Sequence, residues 1–512
     1  MDWTAGYITD VDYPYGYFPV LQPDLLKLAC LSAGIAVPAG DLQNYLEVGF
    51  GQGLSVNIHA AANPGVFWGT DFNPNHAAEA IQLAAASGSG ARLSDESFAE
   101  LAAREDLPQF DIIVAHGIWT WVSAANRQII IDLVRRHLRV GGLFYVSYNC
   151  RPGWAAAEPL KHLMSLHAEL VASDTGSTAN KVEGALQFVQ EIVAANALYF
   201  KANPTVTERS KKIGDLDRSY VAHEYLAHDW DIMAFSDVAG MLEQAGLTFA
   251  TTANLLDHFD DISLSAEAQA LLAGIQHPIL KQSVRDYLVN QQFRRDIFVK
   301  GPQPLTPLER AEALQMQGFV LVTPPADVVL QVAGSAGQAA LREDIYRPVL
   351  AALAENNHQP KSLRRIWRHP GLQSLPFDVI SEAILVLTGA GHVSTARLPS
   401  AVAQARCQAL NRYICTRSRS DARIGNLASP VSGAGVSVSR IEQHFLLALA
   451  QGKDSPTEQA VAAWEIMQAG DRWIVQDGKP IDRREDAIAH LAGLAEQFAA
   501  RRLDILKALG IA

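Results

Sequence analysis

Residues 47 to 53 read Glu-Val-Gly-Phe-Gly-Gln-Gly and close a short apolar run, Tyr45 to Val48. Glycines at 49, 51 and 53 directly after a strand let the backbone approach a cofactor, because no β-carbon stands in the way. Two common users of such a turn are excluded. A dinucleotide fingerprint, G-x-G-x-x-G, would place its third glycine on Leu54. A phosphate-binding loop would end in Gly-Lys-Ser/Thr, and none follows Gly53. Other residues able to do chemistry are Asp71 in GTDFNP, Asp95 in LSDESF and His116 in HGIWTW. The stretch YVAHEYLAH (220–228) resembles a zinc-protease HExxH, but its fifth position is Ala227. His228 is five residues from His223 and falls on another helix face, so no metal site is expected.

Such groups need elements that bring strand ends together. From 44 to 150, apolar runs recur at YLEV, VFWGTD (66–71), GARL (90–93), FDIIVAH (110–116) and GLFYVSY (142–148). Helical stretches at 54–62, 75–87 and 124–138 separate them, the pattern of parallel βαβ units in an α/β doubly wound sheet. After Pro152 the apolar spacing becomes helical. LTFATTANLL (247–256) and FRRDIFVKG (293–301) are expected to be the last two strands of the same sheet. This gives a catalytic domain from 1–154 and 228–303, interrupted by a helical insertion at 155–227. GPQPLTP (301–307) reads as a linker to a winged-helix-like segment, 308–415, of three helices followed by a hairpin. NLASPVSGAGVSVS (426–439) reads as a flexible stretch opening a C-terminal helical domain, 426–512.

Composition limits the partners. There are 42 Lys and Arg against 54 Asp and Glu, a net charge of −12, which argues against a polyanion such as nucleic acid. RRIWRH (364–369) and TRSRSDAR (416–423) are local exceptions, read as solvated faces. The four cysteines form no CxxC pair, so neither a zinc site nor a disulfide framework is indicated. The first residues lack the basic start and apolar core of a signal peptide, and no apolar run reaches the ~18 residues needed to span a bilayer. A cytoplasmic protein without membrane insertion is expected.

Glu47 through Gly53, E-x-G-x-G-x-G, resembles the first motif of class I methyltransferases that use S-adenosylmethionine. YPYGYFPVLQPDLL (13–26), HGIWTWVS (116–123), GGLFYVSYNCRPGW (141–154), HEYL (223–226), NQQFRRDIFVKG (290–301) and LASPVSGAGV (427–436) extend the likeness. They resemble bacterial methyltransferases with a methyltransferase regulatory domain, a group that includes rickettsial enzymes acting on lysines of outer-membrane proteins. The resemblance implies that Glu47 holds the cofactor's ammonium group, Asp71 its ribose hydroxyls and Asp95 its adenine amine, with Glu96 and Phe98 alongside. It places His116 beside the sulfonium, as a base, a polar orienter or simply a partner of its own loop. His223, Glu224 and Tyr220 are expected to face the acceptor as catalytic groups, or else to serve a capping or interdomain hydrogen-bond network. Tyr15, Tyr17, Trp119 and Tyr148 are expected to line the acceptor pocket, with packing the preferred reading for Trp121. The implied acceptor is a lysine of another protein. A small molecule or surface saccharide is the alternative, a non-catalytic cofactor-binding interaction protein the second; a homodimer is compatible with each.

Overall fold

The computed structural model describes residues 13–38, 40–171, 177–335, 337–469, 475–476, 479–481 and 483–512, so the signal-peptide reading of the first twelve residues lies outside it. Its centre is a seven-stranded sheet in the order β3-β2-β1-β4-β5-β7-β6. The strands are β1 (Asn44–Val48), β2 (Val66–Thr70), β3 (Arg92–Ser94), β4 (Phe110–Ala115), β5 (Leu138–Asn149), β6 (Leu247–Thr252) and β7 (Phe293–Lys300). β1 to β5 run parallel, and β7 lies antiparallel between β5 and β6. The expected split of the sheet is therefore present: its last two strands return after a helical excursion of almost a hundred residues.

Helices cover both faces, which is why the central strands read as nearly continuous apolar runs. Tyr45, Phe67, Val114, Tyr145 and Ile297 belong to one core, and Leu46, Trp68, Ile113, Phe144, Tyr148 and Phe298 to the other. The alternation along each strand sorts them. The strand order reverses beside β1, and the crevice at the carboxyl ends of β1 and β4 is where such sheets bind ligands.

The excursion from β5 carries helices Glu158–Leu170, Thr178–Ala194, Leu198–Ala202, Pro204–Gly214 and Arg218–Tyr225. They enclose a separate core around Leu160, Met164, Leu186, Phe200 and Tyr225. Asp217 caps the last of them by accepting from the backbone N–H groups of Ser219 (2.9 Å) and Tyr220 (3.2 Å).

Two features beyond the linker differ from the sequence reading. The segment 318–396 contains β8 (Gly318–Leu321), a hairpin of β9 (Gln331–Gly334) and β10 (Gly337–Ala340), β11 (Lys361–Ser362) and β12 (Val393–Ala396). β12 does not open a wing hairpin after the third helix; it pairs with β8, far upstream, which lies between β11 and β12. The stretch read as flexible is a hairpin of β13 (Asn426–Ser429) and β14 (Ala434–Ser437), and Leu427, Ala428, Ser429, Val431, Ser432 and Ala434 are buried in it. Its small residues serve close packing rather than mobility. The helix Ala401–Arg417 and this hairpin lie on the helices Leu54–Ala62 and Pro74–Ser87, with Leu54, Ile58, Leu83, Leu410, Leu427 and Val436 in one core.

Because β7 pairs with the outer edge of β5, a fragment ending at Gly153 would expose that edge. We expect it to aggregate in size-exclusion chromatography, whereas a soluble monomer that binds cofactor would contradict the split sheet.

Candidate active site

A cavity of about 1000 Å³ opens at the carboxyl ends of β1, β2, β4 and β5. One half is built on the glycine turn. Gly49 and Gly53 both have left-handed backbone, with φ of +72° and +71°. A β-carbon on Gly53 would run into that of Ala80, and one on Gly49 would meet Ile118 Cγ2 at 2.5 Å. These are positions where only glycine fits without strain. Gly49 and Gly51 line the cavity, while Gly53 starts the helix Leu54–Ala62 behind it.

Asp71 ties this turn to the end of β2. Its Oδ2 accepts the Gly51 N–H at 2.8 Å, and its Oδ1 accepts the Asn73 N–H at 3.1 Å with His76 Nδ1 at 3.3 Å. Glu47 lies on the cavity wall, buried, with no partner on Oε2 among the described residues. Burial raises its carboxyl to about 8. A buried carboxyl at the wall of a glycine-lined space suits a ligand carrying a cationic group. This chemistry fits S-adenosylmethionine: Glu47 toward the ammonium, glycine backbone against the cofactor, and Asp71 toward the ribose.

The rest of the adenine expectation needs correction. Phe98 lines the cavity, but Asp95 is exposed and outside its wall. Glu96 is directed away, accepting from Ser94 Oγ at 2.6 Å and pairing with Arg104 at 3.1 Å.

The other half is assembled from distant segments. The strap 13–18 crosses the glycine turn: Gln52 Nε2 donates to the Tyr13 carbonyl at 3.1 Å and the Phe18 N–H donates to Ser55 Oγ at 2.9 Å. Tyr13 and Phe18 line the cavity, and the Tyr13 ring meets His223 edge-on at 5.3 Å. The helix Arg218–Tyr225 brings Tyr220, His223 and Glu224 to the wall, with Asn149 Nδ2 donating to Glu224 Oε1 at 3.3 Å. Burial raises the Glu224 carboxyl to about 7, against the opposing pull of Asn149, Arg209 and Lys161. His116 sits between the halves, its Nδ1 sharing hydrogen bonds with the Tyr145 hydroxyl (2.8 Å) and Ser147 Oγ (3.2 Å). Burial, helped by the charge of Arg295, lowers His116 to about 3 and keeps the ring neutral.

All four expected pocket aromatics are elsewhere. Tyr15 reaches Arg417, whose Nη2 donates to its hydroxyl at 3.0 Å. Tyr17 accepts the Gly435 N–H at 2.7 Å and contacts His59 Nε2 at 3.2 Å. Trp119 is fully buried under the sheet, and Trp121 takes the place on the cavity wall. Tyr148 faces the opposite side of β5 and donates to Asp296 Oδ2 at 2.8 Å. Strand parity carries the reason: Tyr145, Ser147 and Asn149 share the face that reaches the site, and Tyr148 cannot. The same parity is the signal that would have found Asn149. Thr388 to Gly391, at the end of the helix Phe377–Gly389, also line the cavity, and no local motif marks them. Among the described residues no group of three or more His, Cys, Asp or Glu is placed to hold a metal.

Three outcomes follow from the cofactor half. Asp71→Ala removes a charged acceptor and loosens Gly51, so calorimetry should show cofactor binding weakened by at least about 1–3 kcal/mol. Glu47, raised from 4.5 to about 8, contributes stability that is complete below the unfolded value and lost as pH rises through the folded one. The melting temperature of the cofactor-free protein should therefore fall across that window, less so in Glu47→Gln. An ammonium beside Glu47 lowers its pKa again, so cofactor binding at pH 7 should release a proton. Binding enthalpies in buffers of different ionisation heat will measure that release.

Comparison with known proteins agrees with this geometry. A methyltransferase-domain model matches residues 46–142, and the model of a predicted methyltransferase regulatory domain matches 217–300. The uncharacterized protein sll1526 of Synechocystis sp. is 35% identical over 518 residues, spanning 100% of both chains. The uncharacterized protein RP028 of Rickettsia prowazekii is 25% identical over 224 residues, covering 42% of this chain and 86% of its own. Among solved structures, that of PKMT2 from Rickettsia typhi in complex with AdoHcy superimposes with a TM-score of 0.71 at 17% identity, covering 97% of this chain and 100% of that one. The first match covers the glycine turn and Asp71, and the second covers the helix of Tyr220, His223 and Glu224 together with the returning strands β6 and β7. The chain belongs to the S-adenosylmethionine-dependent methyltransferases that carry a methyltransferase regulatory domain.

Proposed function

We propose that the enzyme methylates the side-chain amine of a lysine on another polypeptide, which it meets in the cytoplasm. The observation that carries this reading is the partly buried carboxyl of Glu224, held by Asn149 in the half of the cavity away from Glu47. The likeness to the rickettsial PKMT2 in overall fold supports it as well.

Bound S-adenosylmethionine supplies a methyl carbon activated by the sulfonium, so the protein must present a nucleophile in line and free of its proton. An unperturbed lysine has a pKa near ~10.4, and roughly one in a few thousand is neutral at pH 7. Glu224, at about 7, is ionised in an appreciable fraction at neutral pH and basic enough to accept that proton. Its anionic form is supported by the donated hydrogen bond from Asn149. Apolar walls from Phe18, Phe72 and Phe293 disfavour the charged ammonium, while Tyr13, Trp121 and Tyr220 offer ring faces to it before it loses its proton. His116, lowered to about 3, is too weak a base for this work at neutral pH. Held by Tyr145 and Ser147, it serves as a neutral polar group orienting the reacting amine.

Mass spectrometry of the acceptor after turnover tests the reading. Methyl groups on lysine side chains are expected; methyl groups confined to sugar hydroxyls or a small metabolite would overturn it. For the base, kcat should rise with pH through about 7 as Glu224 ionises. Glu224→Gln should lose roughly 10²–10⁴-fold in kcat and that limb of the profile. Unchanged kcat in the variant would remove Glu224 from the role.

A further inference from the structure

Taking a polypeptide lysine as the acceptor, we infer that the residues flanking it are acidic and dock through their carboxylates on Arg295 and Arg209 at the rim of the cavity. Arg295 stands on β7, is exposed, and lines the cavity. Among the described residues no carboxylate pairs with it; its guanidinium lies 5.5 Å from the centre of the Phe293 ring. Arg209 stands on the helix Pro204–Gly214, stacks over Trp154 at 4.0 Å and donates to Gln292 Oε1 at 2.6 Å. It too has no ion pair among the described residues, and both of its partners line the cavity.

The immediate neighbours behave differently. Arg294, next in the chain to Arg295, is bound by Asp286 at 2.5 Å and Asp296 at 2.8 Å. Arg218, on the helix after that of Arg209, pairs with Glu183 at 3.0 Å. In a chain with 54 acidic residues against 42 basic ones, Arg295 on the cavity wall and Arg209 against the lining residues Trp154 and Gln292 come from separate elements and form no ion pair among the described residues, though the charge of Arg209 is felt by Glu224. A guanidinium presents a planar fork that fits a carboxylate in a bidentate pair. The net charge of −12 favours encounter with a partner that is basic overall. Within a screening length of about 8 Å at physiological salt, the local groups decide what seats. Arginines at the rim repel a second ammonium and favour an anion there, while Glu224 attracts the ammonium farther in. The two fields together align a lysine with acidic neighbours along the cavity and disfavour one with basic neighbours.

Peptide binding to the full-length protein loaded with the cofactor's demethylated product tests this independently of turnover. Fluorescence anisotropy would compare labelled peptides holding one lysine flanked by glutamates, by glutamines or by arginines. The glutamate peptide should bind tighter than the arginine peptide by about tenfold or more. Arg295→Glu, and separately Arg209→Glu, should each shrink or invert that ratio, with calorimetry of the demethylated product verifying the fold. Equal affinities across the peptides, or a ratio unmoved in both variants, would overturn the inference. Adding S-adenosylmethionine then separates the two readings. A glutamate-flanked peptide that binds by preference yet gains no methyl group leaves the docking intact and refutes the lysine acceptor. Methylation without any flank preference does the reverse.

Discussion

The helix Leu54–Ala62 has no face in water: all of its 9 residues are buried. The sheet covers one side and the C-terminal half covers the other, through the helix Ala401–Arg417 and the hairpin β13–β14. Its polar residues are bonded accordingly. Asn57 Nδ2 donates to the carbonyls of Gly53 (2.8 Å) and Ala80 (2.9 Å), and His59 Nε2 meets the Tyr17 hydroxyl at 3.2 Å. Just past the helix, Asn63 Nδ2 donates to the Gly433 carbonyl at 2.8 Å. Burial lowers His59 to about 3, so the ring stays neutral between these walls. The glycine turn at the amino end of this helix is thus held from behind by residues more than three hundred positions away. The strap, the acceptor half of the cavity and the Glu47 environment are arranged around that fixed helix.

The catalytic sheet was legible because its signals are local. Glycines at alternate positions, a carboxylate at the end of β2 and apolar runs separated by helical spacing each survive in a short window. The aromatic assignments failed because residue type does not say which way a side chain faces. Tyr148 and Trp119 are large and near the right loops, yet each is on the core side. Tyr15 and Tyr17 are in the strap that crosses the glycine turn, but turn toward Arg417 and Gly435. Asp95 has the type and position of an adenine ligand, but it is left in solvent while neighbouring Glu96 is drawn off by Arg104. The hairpin at 426–437 looked flexible because glycine, serine and proline dominate it; the same small residues allow Gly435 to approach the Tyr17 ring and Gly433 to approach Asn63.

Two carboxyls, buried Glu47 and partly buried Glu224, stand in separate halves of one cavity, both raised by loss of water. Their surroundings differ. Glu47 has an oxygen without a partner among the described residues, whereas Glu224 is steadied by Asn149 and influenced by Lys161 and Arg209. The first environment suits binding a fixed cation; the second suits a group that gains and loses a proton. Neutral His116 between them avoids adding a positive charge where a sulfonium and an amine must come together. The low dielectric that raises the carboxyls also strengthens every charge pair formed inside.

The hydrogen bond from the Gly435 amide to the Tyr17 hydroxyl joins residues 418 positions apart. During synthesis at roughly 5–20 residues per second, the strap and glycine turn wait about 20–80 s before the hairpin that braces them exists. Through that interval the helix Leu54–Ala62 presents Leu54, Ile58 and Ala61 to its surroundings without their final cover. The glycine turn therefore gains its final brace only after the hairpin β13–β14 has been made and has packed, so the cofactor half of the cavity is completed late in synthesis.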